Sequence, residues 1–430
     1  ALLPPSPDLG QPRLWVDRSF TIAGAGTVVT GTLTGGTLRV GDALSVYPSE
    51  ATVRVRALQT HERTVTEVAP GNRTAVNLGG VDRAAVWRGT MLGLPGAWRT
   101  TARLIADLRT VRSLGEPLSG RGSFHAHIGS GSHTARVQLL EGPELVGHGA
   151  ALITLETPVP VAAGDRIVLR EVGRRAVVAG GQVLDPHPEE RVRPDASRLG
   201  ALRAATTPND RAAVLLSIRG IARTTDLAAD TAGGVAIDGL AAGDLTIDAT
   251  EIGRLEAEAI VLLARYHDEN PLRPGMPAPA LATALRVPIE VLEVVVAKSP
   301  QLDMAGPAVR RAGFSPRLEG TGSRAWDSAR ALLDESGFAA PRRDELGLEP
   351  EVLHALLRDG ALVAVGDDLV YLPETLDRIV GAARDMQDGF SVAGFRDALG
   401  ITRRHAVPLL EWMDRAGITR REGDVRSVRR

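Results

Sequence analysis

The sequence predicts a multidomain protein in which two all-β barrels are followed by tandem α/β winged-helix domains. Three observations lead to this prediction. Strand-like runs recur about every 8–12 residues as far as residue 185. Apolar residues at helical spacing follow from about residue 190. A helix-and-hairpin pattern then repeats near the C-terminus.

Two blocks of alternating apolar and β-branched residues make up the first part of the chain. The first block covers residues 13–97 and contains runs such as Leu14 to Ile22. Gly35-Gly36 lies between two such runs and predicts a hairpin. The pattern restarts for a second block at residues 98–185. Blocks of this length with many even strands usually close into small barrels.

Two Pro-rich stretches, residues 1–12 and 186–198, read as linkers. The first gives the chain the look of a piece of a longer protein, since it lacks the basic start and apolar core of a signal peptide. Beyond the second, the apolar period changes to that of helices. The predicted amphipathic helices run from Asp210 to Ile218, Ile252 to Tyr266, Ile289 to Val296, Arg324 to Leu333, Glu351 to Leu357, Leu376 to Met386 and Arg403 to Met413.

An internal repeat defines the C-terminal modules. Gly360 and Gly366 are six positions apart, as are Gly417 and Gly423, and the two copies are 57 residues apart. A helix precedes each copy and an apolar strand follows it, which is the pattern of a winged helix. The repeat predicts winged helices at residues 318–372 and 373–430, and the remaining length leaves room for two more, at 199–247 and 248–317.

Composition excludes several classes of protein. The chain has no cysteine, which excludes disulfides and Cys-based metal sites. Lys298 is the only lysine and has no glycine loop before it, so the sequence holds no phosphate loop of the Lys-containing type. No 18-residue apolar run is present, so no membrane span is expected. Without an acid–base pair, nucleophile set or metal cluster, this chain is not expected to be an enzyme.

Two other motifs have plain structural interpretations. Gly24-Ala25-Gly26 runs into a strand and lacks a lysine, so a barrel bulge or corner is favoured over a nucleotide loop. His125 and His127 share one strand face and His133 is near in sequence, but no Asp, Glu or Cys at ligand spacing joins them. Surface histidines are therefore favoured over a metal site.

Charge singles out two regions. Asp17-Arg18 and Arg73 lie in strands of the first block, where charged residues are usually solvated but two guanidiniums could also hold a small anion. Residues 391–430 contain nine Arg and five acidic residues, whereas residues 321–390 contain seven Arg and 14 acidic residues. Arg403-Arg404 follow Thr402, a candidate helix cap. A cationic helix start beside a basic wing with Arg420, Arg421 and Arg426 suits phosphate contact.

The sequence resembles the bacterial selenocysteine-specific translation elongation factors. The stretch LWVDRSFTIAGAGTVVTGTLTGGTLRVGDALSVYP (Leu14 to Pro48) is similar to the family's second domain, a translation-factor barrel shared with elongation factor Tu. FHAHIGSGSHTARVQLLE (Phe124 to Glu141) is similar to the third domain. FRDALGITRRHAVPLLEWMDRAGITRREGD (Phe395 to Asp424) is similar to the last winged helix. The family's N-terminal GTPase domain has no counterpart here, so the resemblance implies a family protein lacking that domain.

The resemblance implies roles for the charged residues. Asp17, Arg18 and Arg73 match the pocket for the selenocysteinyl end of the charged tRNA. Arg403 and Arg404, with Arg420 and Arg421 in the wing, would bind the selenocysteine insertion hairpin of the mRNA. The implied partners are selenocysteinyl-tRNA, that hairpin and the ribosome, where the tRNA is delivered at a recoded UGA. GTP and Mg²⁺ would bind the absent domain of the parent, not this chain, which is expected to be monomeric and cytoplasmic.

Two other classes remain open at this point. A winged-helix DNA-binding regulator would explain the C-terminal modules but not the two barrels, and it would prefer duplex DNA to RNA hairpins. An elongation or initiation factor without selenocysteine specificity would explain the barrels but not four winged helices.

Overall fold

The computed structural model describes residues 6–24, 26–112, 115–189, 195–233, 236–386 and 389–429. Parts of both predicted linkers, residues 1–5 and 190–194, lie outside the described residues, as does Ala25 of the glycine motif. The chain forms two compact units. One comprises residues 1–255 with 293–295, and the other comprises residues 256–292 with 296–430.

The first barrel is a closed ring of six strands in the order β4-β9-β1-β2-β8-β5, completed by pairing between β5 and β4. Alternation drives it, because Leu14, Val29 and Val76 point into a fully buried interior while their neighbours face outward. Its strands are β1 (Arg13–Ile22), β2 (Gly26–Thr34), β3 (Leu38–Arg39), β4 (Ala43–Tyr47), β5 (Ala51–Thr60), β6 (Arg63–Val65), β7 (Glu67–Val68), β8 (Arg73–Gly79) and β9 (Met91–Gly93).

The predicted hairpin at Gly35-Gly36 is wrong. Strand β2 pairs with β1 and β8, whereas β3 pairs with β7. The two glycines instead lie against the N-terminal segment. The Gly35 carbonyl accepts hydrogen bonds from the amides of Leu9 and Gln11 at 2.9 and 3.0 Å. A Cβ at Gly36 would lie 2.5 Å from the Pro12 nitrogen. The glycine pair therefore marks a close backbone approach and not a turn between paired strands.

The second barrel is also closed, with six strands in the order β10-β15-β13-β12-β16-β17. Phe124, Ile153 and Leu169 are among its buried interior side chains. Two short strands pair with each other beside the ring. Its strands are β10 (Thr100–Thr110), β11 (Leu118–Ser119), β12 (Phe124–Ile128), β13 (Gly131–Leu139), β14 (Glu144–Leu145), β15 (His148–Pro160), β16 (Arg166–Glu171) and β17 (Ala176–Asp185).

A helical module follows the barrels in the first unit and packs on the second barrel. Arg219 joins it to the barrel, since its guanidinium contacts the buried carboxylates of Asp230 at 2.7 Å and Asp185 at 3.1 Å. The three-stranded sheet of this module has the order β18-β20-β19. Its elements are α1 (Ala196–Ala204), α2 (Pro208–Arg219), β18 (Ile221–Arg223), α3 (Thr224–Asp230), β19 (Leu240–Ala242) and β20 (Leu245–Ile247).

Helix α4 (Ala249–Glu269) begins the next module, which continues into the second unit. The module has the helix–strand–helix–helix–strand–strand order of a winged helix, with sheet order β21-β23-β22. Its other elements are β21 (Met276–Pro277), α5 (Ala278–Leu285), α6 (Ile289–Lys298), β22 (Leu302–Ala305) and β23 (Ala308–Arg311).

Two further modules share one hydrophobic core, to which Leu333, Val365, Leu376 and Leu410 belong. The first contains α7 (Gly320–Ser336), α8 (Pro350–Arg358), β24 (Val363–Val365) and β25 (Leu369–Tyr371). The second contains α9 (Pro373–Asp385), β26 (Phe390–Ser391), α10 (Val392–Leu399), α11 (Arg403–Arg415), β27 (Thr419–Glu422) and β28 (Val425–Val428), with sheet order β26-β28-β27.

The architecture confirms the predicted fold class of two barrels followed by winged-helix modules. Each predicted helix is present, within a few residues of its expected ends. Helices α1, α3 and α5, of seven to nine residues, were not predicted from the sequence. The domain boundaries drawn from the sequence stay predictions. In the described ranges, no helix is both long enough and apolar enough to span a membrane.

Candidate nucleic-acid interface

A β-bulge on the outer face of the first barrel sets the geometry of the first candidate site. Val16 faces Gly31 and Arg18 faces Thr30 in the β1–β2 register, so Asp17 is the extra residue. A bulge re-aims the side chains at its position. Here the Asp17 carboxylate accepts a hydrogen bond from the Thr30 hydroxyl at 2.6 Å.

Arg73, at the start of β8, is ion-paired with Asp17, with 2.7 Å between Nη1 and Oδ2. Asp17 is about one quarter exposed, whereas the Arg73 side chain is more than half exposed. The predicted residues Asp17 and Arg73 are therefore brought together. The charge of this guanidinium is largely compensated before any ligand binds.

Arg18 is exposed and lines a groove on the same outer face, together with Phe20, Arg83, Trp87 and Arg88. Backbone carbonyls hold two of these side chains, since Arg83 Nε donates to Ser19 at 3.3 Å and Arg88 Nε donates to Ser130 at 3.1 Å. Among the described residues, none of these three arginines has a carboxylate partner within 4 Å. The groove is thus cationic, and one side of it is the half-exposed Trp87 ring.

Sequence reasoning missed Arg83, Trp87 and Arg88. They lie in a short irregular stretch around a 3₁₀ turn at Arg83–Ala85, where no period marks a face. The only local signal is a tryptophan beside arginines between two strands. This signal indicates a site only in the folded barrel, where this stretch and β1 line the same groove.

The second candidate site is the start of α11. Arg403 and Arg404 are exposed in its first turn, and no ion-pair partner for either is found in the described ranges. The unsatisfied amides of a helix start and its dipole add positive potential there. Thr402 occupies the cap position, but its hydroxyl bonds to the His405 side chain at 2.9 Å and makes no side-chain cap.

His405 fixes this helix start to the preceding module. Its Nδ1 meets the Thr402 hydroxyl, and its Nε2 lies 3.1 Å from the Ala340 carbonyl oxygen. Burial lowers the pKa of His405; the hydrogen bond to Ala340 opposes this shift, and the smaller effect of the Arg404 charge adds to it. A neutral ring satisfies both contacts, with Nδ1 accepting from Thr402 and Nε2 donating to Ala340. The imidazole is therefore a structural group and not a phosphate contact.

The wing supplies a weaker and smaller set of charges than the sequence predicts. Arg420 is exposed but lies 3.4 Å from Glu422, and Arg421 Nε donates to the Gly423 carbonyl at 3.0 Å. Arg426 is buried, at 6% exposure, and pairs with Asp414 at 2.9 Å. The prediction that Arg426 contributes to a phosphate-binding wing is therefore wrong, because β28 is the central strand and turns this side chain inward.

The histidine set of the second barrel shows no ligand arrangement. Within the described residues, no three His, Asp, Glu or Cys side chains are grouped as a metal ion requires. Burial lowers the pKa of both His127 and His133. His125, His127 and His133 are all half-buried in the barrel wall, so the interpretation as surface histidines is only partly right.

Comparison with known proteins shows which kinds of domain carry these two candidate sites. Family models described as "Elongation factor Tu domain 2", "Selenocysteine-specific elongation factor, beta-barrel domain" and "Elongation factor SelB, winged helix" match residues 26–93, 101–190 and 383–428. Two of these three models describe domains of selenocysteine-specific elongation factors, and the chain is similar to both over the matched residues. The groove beside Arg18 lies on the first matched barrel, and Arg403 and Arg404 lie in the matched winged helix.

Relatives extend the similarity over nearly the whole chain. The selenocysteine-specific elongation factor of Desulfomicrobium baculatum is 28% identical over 97% of this chain and 72% of its own length. The protein of that name from Escherichia coli K12 is 28% identical over 96% of this chain and 69% of its own. The crystal structure of a bacterial selenocysteine-specific elongation factor has the same fold, with a TM-score of 0.65 and 21% identity over 98% of this chain and 70% of that one.

Proposed function

We propose that this chain binds selenocysteinyl-tRNA through its barrels and the selenocysteine insertion hairpin of an mRNA through its last winged helix. It thereby delivers the tRNA to the ribosome at a recoded UGA. GTP binding and hydrolysis would belong to a domain outside this sequence, which contains no phosphate loop. The observation that carries the proposal is the exposed Arg18 guanidinium, which has no carboxylate partner in the described residues and lies beside the Asp17–Arg73 pair.

The chemistry of the amino acid explains why this arrangement selects selenocysteine. A selenol is mostly ionised at neutral pH, whereas the hydroxyl of the competing seryl group is neutral. A charge-assisted hydrogen bond to an unpaired guanidinium is worth about 1.5–3 kcal/mol. A seryl group would leave the guanidinium without an anion and gain little of this energy. Arg83 and Arg88 would add to the same positive potential.

We expect Arg18→Ala to weaken the binding of selenocysteinyl-tRNA about 10- to 100-fold and that of seryl-tRNA much less. Arg73→Ala should also impair selenocysteinyl binding, because it leaves the Asp17 carboxylate uncompensated beside the anion. Asp17→Asn combined with Arg73→Ala should then recover part of the loss. Fluorescence titration of the full chain with the two charged tRNAs measures these effects.

The matched control is Arg39→Ala, an exposed arginine of the same barrel that is paired with Glu67 away from the groove. Equal losses for selenocysteinyl- and seryl-tRNA in the Arg18 variant would contradict the pocket assignment. A failure of Asp17→Asn to recover binding in the Arg73 variant would contradict the indirect role given to Arg73.

A further inference from the structure

A second groove, used by neither site above, lies in the second unit between the end of α4 and the segment after β23. His267 and Asp268 come from α4, Arg311 is the last residue of β23, and Phe314 and Arg317 follow that strand. The Arg317 amide donates to the Pro271 carbonyl at 3.3 Å and connects the two sides. The groove has a volume of about 570 Å³, within the about 300–1,000 Å³ of ordinary small-molecule sites. A nucleotide-sized group would fit.

An aromatic pair forms one wall. The His267 and Phe314 rings stack with centroids 3.6 Å apart and planes 1° from parallel. His267 is 95% buried, since 5% of its surface is exposed, and its Nε2 atom has no hydrogen-bond partner in the described residues. A buried polar atom without a partner is rare in native structures and calls for an explanation such as a bound molecule.

Burial lowers the pKa of His267, and the neighbouring charge of Arg311 lowers it further, against the smaller opposing effect of Asp268. The ring is therefore neutral at physiological pH and extends the apolar stacking surface of Phe314. Phe314 itself is half-buried and keeps part of its ring accessible.

Uncompensated positive charge borders the aromatic pair. Arg311 and Arg317 are both exposed, and in the described ranges neither lies within 4 Å of a carboxylate. The neighbouring residue Arg310 has a buried Nε atom, which has no hydrogen-bond partner among the described residues. Arg311 and Arg317, which both line the groove, can therefore contact an anion.

The groove also contains hydrogen-bond acceptors. Asp268 and Glu319 line it and are both exposed. Carboxylates beside guanidiniums would weaken the binding of a bare anion. They suit a ligand that carries phosphate at one end and N–H or O–H donors at the other.

We propose that this groove binds one unpaired nucleotide of an RNA strand. Arg311 and Arg317 contact the phosphates, and the base stacks against Phe314. Asp268 and Glu319 accept hydrogen bonds from the exocyclic amine of the base or from the ribose 2′-hydroxyl. Unpaired bases stacked on aromatic side chains, with arginines on the backbone, are the usual mode of single-strand recognition. This site is separate from the α11 start, so its test is independent of the hairpin proposal.

The test uses the full chain carrying Arg403→Ala and Arg404→Ala, which removes the proposed hairpin contacts. Its affinity for a labelled 12-nucleotide single-stranded RNA of mixed sequence is measured by fluorescence anisotropy at two salt concentrations, with a 12-base-pair RNA duplex for comparison. We expect a preference for the single strand. Phe314→Leu should lower that affinity about 5- to 100-fold while the salt dependence stays the same.

Arg311→Gln with Arg317→Gln should lower the affinity and also reduce the slope of log affinity against log salt by about 1.4, as expected for two lost phosphate contacts. Arg265→Gln with Arg330→Gln is the matched control, because it removes the same charge from exposed positions of the same unit. Equal losses in the control pair, or unchanged affinity in Phe314→Leu, would reduce the groove to a general cationic surface.

A crosslinking measurement guards against misfolding of the Phe314 variant. The same RNA, with 4-thiouridine substitutions, is irradiated in complex with the full chain that carries no substitution. The crosslinked peptides are then identified by mass spectrometry. Crosslinks within residues 267–271 or 311–319, which line the groove, support the proposal. Crosslinks found solely in other parts of the chain overturn it.

Discussion

At the scale of single residues, the partner of each arginine decides what it can do. Asp17 neutralises Arg73, Asp414 neutralises Arg426, and Arg18 has no carboxylate partner in the described residues. The sequence shows all three as arginines in or near strands and cannot rank them. Asp414 is 12 positions before Arg426 on a different element, so no local pattern indicates that pair. Arg18 as a binding residue stays a prediction, and its exposure without a carboxylate partner is what a nucleic-acid contact needs.

Arg426 should be a residue of stability and not of RNA binding. Asp414 accepts hydrogen bonds from both Arg426 Nε and the Thr419 hydroxyl, which joins helix α11 to both strands of the wing. Removing one member of a buried ion pair leaves the other as an uncompensated buried charge, at a cost of about 3 kcal/mol. We expect Arg426→Ala to lower the free energy of unfolding of this module by about that amount, measured by urea denaturation of the full chain.

Arg421→Ala provides the comparison for this prediction, because Arg421 is exposed and its Nε donates to the Gly423 carbonyl of its own turn. It should change stability by less than about 0.5 kcal/mol. Equal stability of the Arg426 and Arg421 variants would mean that the Asp414 contact contributes little.

At the scale of elements, helix α11 combines a site with an anchor. Arg403 and Arg404 leave its first turn into solvent, while His405 of the same turn binds the Ala340 carbonyl. Pro408 within the helix removes an amide at its sixth position, a change that often breaks a helix. The helix nonetheless continues to Arg415, and Leu409, Leu410 and Met413 beyond the proline are fully buried. Tertiary packing therefore overrides the local cost.

The basic start of α11 should account for the salt-dependent part of hairpin binding. We expect Arg403→Ala with Arg404→Ala to lower the affinity for an mRNA insertion hairpin. The slope of log affinity against log salt should fall by nearly the amount expected for two lost phosphate contacts. Binding of selenocysteinyl-tRNA should be unchanged. Titration of the full chain with hairpin, scrambled stem-loop and duplex DNA at two salt concentrations measures this.

Arg415→Ala is the control at the opposite end of the same helix, where the side chain is exposed and its Nε donates to the Glu411 carbonyl. It should leave hairpin affinity nearly unchanged, because the negative end of the helix dipole does not favour phosphate. An unchanged hairpin affinity in the Arg403–Arg404 variant would place the RNA contacts elsewhere. A preference for duplex DNA would favour the regulator alternative.

At the scale of the whole molecule, the sequence predicts which modules are present better than it predicts the contacts within and between them. Strand alternation gives both barrels, but ring closure and the place of Gly35-Gly36 depend on contacts distant in sequence. The glycine repeat gives the last two winged helices as separate units. The structure instead places Leu333 and Val365 of one and Leu410 and Met413 of the other in one buried cluster. A repeat in sequence marks a unit of topology, whereas the apolar contacts define a unit of stability.

The shared core predicts that the last two modules unfold together. Leu369 is 2% exposed in the hairpin of the first, and Leu→Ala at such a position costs about 2–5 kcal/mol. We expect Leu369→Ala to raise amide exchange not only in α7–α9 but also in α10 and α11, measured by hydrogen-exchange mass spectrometry of the full chain. Leu202→Ala, a buried leucine of the first unit, should leave α10 and α11 unaffected. Exchange confined to residues near Leu369 would show that each module is stable alone. If the coupling holds, a cavity outside the α11 start would also weaken hairpin binding, because Arg403 and Arg404 are presented by a helix whose buried face rests on the neighbouring module.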